Sequence, residues 1–239
     1  MKAPTETTIV REVNQQATYV RTFKRAGALI GAAGIGKSYA CQWIAQNDRS
    51  VVYCSAPNAR SLSFKAATKA LLQGFGHYVN FEHTDRLWDF VEDHAADLAH
   101  QGGALIFDEA HRLPLNFLLD VVDFPERYGL PVIIVGNPAL LKRTRINAGA
   151  MDQIASRCAR TVALRAPVRE DFMAIAAEFD VIGSDARAAA ATFGAASSIR
   201  DLVAMLEAAR GFADRGPIRL PELRQAAAYL EKLPLLSAA

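Results

Sequence analysis

The segment Gly31-Ala32-Ala33-Gly34-Ile35-Gly36-Lys37-Ser38 fits the spacing GxxxxGK[ST], a combination suited to holding phosphate. Glycines let successive backbone N–H groups curl into an anion-binding nest, and the start of a following helix adds partial positive charge. Lys37 is then expected to reach the β and γ phosphates and Ser38 to hold Mg²⁺, with Tyr39 counted beside the loop among the nucleotide-binding residues. The motif lies between a predicted strand and a predicted helix, the context that such a loop requires.

Two carboxylates, Asp108 and Glu109, end the apolar run Ala104-Leu105-Ile106-Phe107. Beside a phosphate loop, Asp108 is expected to order the water shell of Mg²⁺ and Glu109 to polarise the attacking water. Asn137 follows the run at 132–135 in the string Val-Gly-Asn-Pro, where a polar side chain would touch the γ phosphate or that water. Arg157 precedes the last predicted strand, and Arg200 begins a predicted helix. Asp108-Glu109-Ala110-His111 also spells the tetrapeptide that names a class of helicases, but those enzymes need two tandem sheet domains and this chain has residues for one. His111 and Arg112 suit either coupling to a partner or a solvated helix start. His77, His83, His94 and His100 lack metal-ligand spacing and are expected on the surface or on helix faces.

Positioning these residues falls to short apolar runs at 26–30, 51–54, 104–107, 132–135 and 161–164, most of them separated by helical patterns. That alternation predicts an α/β fold with a five-stranded parallel sheet flanked by helices. Residues 133–135 show no polar alternation, as a strand covered on both faces should. Beyond Pro167, helices are expected over 171–179, 185–193, 199–213 and 220–233 without intervening strands. A boundary near 165–167 gives a nucleotide-binding domain over 1–166 and a small all-helical lid over 167–239. Val10, Val13, Ala17 and Val20 at helical spacing predict a leading helix packed on the sheet edge.

The 239 residues, 51% hydrophobic and 22% charged, suffice for a sizeable globular core, and a net charge of +2 excludes a polybasic tail protein. Charge is unevenly spread: 77–127 holds eleven acidic residues against three basic, and 139–169 holds seven basic against one acidic. No apolar run reaches the roughly 18 to 20 residues of a membrane helix, and the opening MKAPTETTIV lacks a signal peptide's apolar centre, so a cytoplasmic protein is expected. Cys41, Cys54 and Cys158 are odd in number and form no CxxC pair, which argues against disulfides and a zinc site.

With these motifs in this order, the chain from residue 26 to about 233 resembles the AAA+ ATPases, a P-loop NTPase family. The resemblance implies Walker A at 31–38, Walker B at Asp108 and Glu109, sensor 1 at Asn137, an arginine finger at Arg157 and sensor 2 at Arg200, with ATP and Mg²⁺ as ligands. It further implies a homo-oligomer in which Arg157 completes a neighbour's site in trans, and a lid that closes on ATP through Arg200. The strings IFDEAHRL and VGNP and the compact lid look most like the transposition ATPases typified by the phage Mu B protein and its relatives TniB and TnsC.

That likeness implies ATP-dependent filaments on double-stranded DNA, bound with little sequence preference, and delivery of target DNA to a transposase. Phosphate contacts need clustered cations, and the candidates are Arg60, Lys65, Lys69, Lys142, Arg143 and Arg145. A solvated face or a surface meeting the acidic segment of a neighbour would use the same residues. Only 30 residues precede the phosphate loop, so DNA binding is expected from the ATPase body rather than from an added module. The alternatives are an AAA+ ATPase of secretion or pilus assembly, similar to the ExeA type, and a nucleotide-gated switch without DNA binding. The intact set of Glu109, Asn137 and Arg157 argues for turnover over a pure switch.

Overall fold

The structure is a computed structural model that describes residues 5–58, 62–79, 83–141 and 148–236. Five strands, β1 (Ala26–Ile30), β2 (Val51–Ser55), β3 (Ala104–Asp108), β4 (Val132–Gly136) and β5 (Cys158–Ala163), form one parallel sheet in the order β2-β3-β4-β1-β5. β1, β3 and β4 are buried at every position, as uninterrupted apolar runs between two helical layers require. β2 and β5 are the edges. β5 starts three residues before the expected 161, because an edge strand with one wet face admits Arg160, which breaks the apolar run.

The chain divides into two compact units. One contains the sheet, with most of α1 (Thr8–Phe23), nearly all of α2 (Lys37–Asn47), then α3 (Phe64–Gly74), α4 (Thr84–His100), α5 (Leu115–Val122), α6 (Phe124–Tyr128) and α7 (Ala148–Arg157). Its core is built around fully buried Phe107, Phe117, Phe124 and Leu105. Phe117 meets Phe64, Trp88 and Phe107 edge-on at centroid separations of 5.5 to 5.8 Å, a favoured ring geometry. Val13 and Val20 of α1 are buried, and the Gln16 amide donates to the Arg160 carbonyl at 2.9 Å, so the leading helix lies against edge strand β5 as its spacing predicts.

The other unit comprises α8 (Arg169–Glu178), α9 (Ser184–Ala196), α10 (Ile199–Phe212), α11 (Leu220–Tyr229) and α12 (Leu233–Leu236), with residues 33–37 and the first turn of α1. Buried Ala186, Ala189, Ala190 and Ala191 let α9 pack closely, and Phe172, Phe193, Leu202 and Leu206 fill the remaining core. The buried Asp171 carboxylate is satisfied by the Thr8 N–H at 2.7 Å, the Thr8 hydroxyl at 3.1 Å and the Val168 N–H at 2.9 Å. That triple acceptance answers orphan donors at the first turn of α1 and offsets the cost of burying a charge. The expected helix over 220–233 is two helices: Glu231 takes a left-handed φ of 56°, the Lys232 N–H turns back to the Ala227 carbonyl, and Pro234 starts afresh in α12. One isolated bridge, Val181 to Ile218, interrupts the otherwise helical segment.

Candidate nucleotide site

Because the sheet is parallel, the carboxyl ends of its strands share one edge, where ligands of open α/β sheets bind. Gly31 directly follows β1, Asp108 ends β3 and Asn137 directly follows β4, so topology brings three of the expected positions to that edge. The Gly31 N–H donates to the Gly136 carbonyl at 3.1 Å, extending the β1–β4 ladder past the strands and setting Asn137 beside the root of the loop. Asn137 Oδ1 accepts the Ala139 N–H at 2.8 Å, which leaves its NH₂ as the group offered to a phosphate or water.

The loop turns through left-handed backbone at Gly34 (φ 79°) and Gly36 (φ 96°) and runs into α2, whose first residue, Lys37, is 8% exposed. Ile35 is buried, Ser38 half-buried and Tyr39 exposed. Within the helical unit, the amino terminus of α10 sits on this loop: the Arg200 N–H donates to the Gly34 carbonyl at 3.1 Å. Ser198 caps α10 by accepting the Asp201 N–H at 3.1 Å, and its hydroxyl donates to the Asp201 carboxylate at 2.8 Å. The exposed Arg200 side chain is thereby anchored through its backbone next to the loop.

Asp108 is 1% exposed, and each of its oxygens accepts one hydrogen bond, Oδ1 from the Glu109 N–H at 2.7 Å and Oδ2 from the Tyr53 hydroxyl at 2.9 Å. Glu109 has a left-handed φ of 55°, a conformation that costs a non-glycine residue about 1–3 kcal/mol and clusters at functional sites. Its Oε2 lies 3.3 Å from Arg112 Nε and 3.5 Å from His111 Nε2, so His111 and Arg112 orient its carboxylate. Among the described residues no cluster of three His, Cys, Asp or Glu side chains holds a metal by itself. Ser38 and Asp108 are the residues that would hold Mg²⁺, an ion whose shell is usually completed by phosphate oxygens and water. Bound there, Mg²⁺ would supply neutralisation of phosphate charge.

Arg157 closes α7 just before Cys158, which pairs with Ala26 at the amino ends of β5 and β1. The carboxyl edge of the sheet is a strand's length away, about 16 Å at 3.3 Å per residue. In the single chain its Nε donates to Asp123 Oδ1 at 2.8 Å. The geometry thus brings Arg157 to none of the other expected site residues of the sheet unit. Lys65 and Lys69 are half-buried and one turn apart on α3, while Arg60, Lys142, Arg143 and Arg145 lie outside the described residues.

A family model described as an AAA domain matches residues 21–144, just over half of the chain. The chain belongs to the AAA family. Its fold is the AAA+ P-loop NTPase fold, a five-stranded parallel sheet flanked by helices with a helical carboxy-terminal region. The ORC2 protein of Aeropyrum pernix, solved in ADPNP–ADP complexes, is similar to this AAA chain with a TM-score of 0.65 at 12% identity, over 93% of this chain and 67% of that one. RuvB of Thermotoga maritima is similar with a TM-score of 0.54 at 14% identity, over 94% of this chain and 70% of that one. No curated protein sequence matches the AAA chain.

The AAA fold implies nucleotide binding, and the phosphate loop and acidic pair were legible as motifs. The Tyr53 bond to Asp108 and the Asp123 bond to Arg157 were not: a tyrosine in a strand and an aspartate between helices carry no spacing signal of their own. His77 and His94, expected on the surface or on helix faces, stack with ring centroids 4.1 Å apart, and burial and the neighbouring ring hold His94 below its usual value. All three cysteines are buried and outside any disulfide, and burial pushes the Cys54 and Cys158 thiols up to about 12. No helix among the described residues is long and apolar enough to cross a membrane.

Proposed function

We propose that the chain is a Mg²⁺-dependent ATPase that assembles on double-stranded DNA and serves transposition, presenting target DNA to a transposase. The observation that carries the nucleotide part is the seat of α10 on the phosphate loop through the Arg200–Gly34 hydrogen bond, which ties a helical lid to the phosphate nest. In this reading Lys37 holds the β and γ phosphates, Ser38 and Asp108 hold hydrated Mg²⁺, and Asn137 and Glu109 position and polarise the attacking water. Arg157, at the opposite end of the strands from Asp108, serves a neighbouring subunit's site rather than its own, stabilising charge on the transferred phosphoryl. Turnover then requires assembly. Nucleotide state passes to the lid through Arg200.

The DNA and transposition part is supported by the likeness of the IFDEAHRL and VGNP strings to the transposition ATPases and by the basic segment 139–169. Phosphate contacts are assigned to Lys65 and Lys69 on α3 and to Arg60, Lys142, Arg143 and Arg145. The test is ATP hydrolysis with and without non-specific duplex DNA across protein concentration, with particle size followed by light scattering. Hydrolysis that rises steeply with concentration and with DNA, accompanied by large ATP-dependent particles, is expected. Turnover indifferent to DNA would remove the transposition reading and leave an ATPase that answers to a protein partner.

A further inference from the structure

Tyr53 lies outside the motifs, yet its side chain donates to the Asp108 carboxylate, and its hydroxyl is itself held. Gln42 Nε2 donates to the Tyr53 oxygen at 3.3 Å, and the hydroxyl donates onward to Asp108 Oδ2 at 2.9 Å. Gln42 lies four residues after Ser38 on α2, so the two share a helix face. Tyr53 lies on β2 two residues before Ser55, which pairs with Asp108, so Tyr53 and Asp108 project to the same face of the sheet. The chain Gln42–Tyr53–Asp108 therefore links the helix that carries one expected Mg²⁺ donor to the strand end that carries the other.

We infer that Tyr53, braced by Gln42, is a positioning residue for the metal: it fixes the Asp108 carboxylate and sets its distance from Ser38. This rests on the nucleotide-binding reading above. Asp108 is buried and can accept at both oxygens, so without the Tyr53 donor Oδ2 loses a partner and the carboxylate is free to rotate about its terminal torsion. Partners of this kind orient the groups around a metal, and losing one costs about 10- to 100-fold in metal affinity. The hydrogen bonds described for Tyr53 go to Gln42 and Asp108, so the metal donors can be probed separately from the phosphate loop.

The experiment titrates Mg²⁺ into the full chain with a fluorescent ADP analogue at fixed concentration, and measures analogue affinity separately in excess EDTA. For Tyr53→Phe, which keeps the ring, the Mg²⁺ midpoint is expected to rise about tenfold while the EDTA affinity stays within twofold of the parent. Gln42→Ala, at an exposed helix position, should raise the midpoint in the same direction by a smaller factor. An unchanged Mg²⁺ midpoint in both variants overturns the positioning role and leaves the nucleotide reading intact. Equal losses with and without Mg²⁺ overturn it too, because they mark a general packing defect. A parent chain whose analogue binding ignores Mg²⁺ overturns both the inference and the metal part of the proposed function.

Discussion

Replacing Gly34 by alanine places a Cβ 3.0 Å from both Cβ and Oγ of Ser198 while the backbone is held at φ 79°. The left-handed conformation costs an L-residue about 1–2 kcal/mol. Moving Ser198 away also loosens the Arg200–Gly34 hydrogen bond, worth about 1 kcal/mol net. Together these give a loss of about 2–3 kcal/mol. Gly36 offers an internal control, because at φ 96° a Cβ there meets only Ile199 Cδ1 at 3.8 Å, an ordinary contact. Gly36→Ala is therefore expected to carry the backbone cost alone, about 1 kcal/mol less than Gly34→Ala. In a chain of this size 1 kcal/mol corresponds to about 2–4 °C in Tm. The assay is thermal unfolding of the nucleotide-free chain, with Ser198→Gly added in each background; glycine keeps most of the capping at a cost of a few tenths of a kcal/mol. Ser198→Gly should restore part of the loss in the Gly34→Ala chain and none in the Gly36→Ala chain, a coupling that a double-mutant cycle isolates. Equal Tm losses for the two glycine variants, with no coupling to Ser198, would refute the seat of α10 on the loop.

Arg157→Ala should retain nucleotide binding and lose turnover, and mixing it with a Lys37→Ala chain should restore part of the activity, since each lacks what the other donates; restoration that never exceeds the sum of the separate activities excludes action in trans. Phe117→Ala removes a fully buried ring that meets three others and should cost about 3–5 kcal/mol by denaturant titration; a loss under 1 kcal/mol would mean that the site collapses around the cavity. Asp201 is held below its ordinary value of 3.8 by hydrogen bonds from Lys232 and Ser198. A depressed carboxylate lends stability that is full above the unfolded value and is lost as pH falls through the folded one. Asp201→Asn should therefore lower Tm at pH 6 and converge with the parent once pH falls below the depressed folded value, and a gap that persists there would show that charge is not the cause.

The sequence alone determined what is local. Glycine spacing fixed the phosphate loop because only glycine takes up its left-handed turns cheaply, and uninterrupted apolar runs marked β1, β3 and β4 because strands covered on both faces must be apolar throughout. Asp108 and Glu109 were visible because they interrupt such a run at its end. Edges were less legible: β5 carries Arg160 on a half-wet strand, and the break before Pro234 depends on a single left-handed residue, Glu231. Only the tertiary structure decided the strand order, which inserts β4 between β1 and β3 and so brings Asn137 to the root of the loop. The same is true of Tyr53 on Asp108, 55 residues away, and of Asp171 on Thr8, 163 residues away. Such pairs follow from strand register and helix packing, which depend on the whole buried core, and no spacing in the chain encodes them.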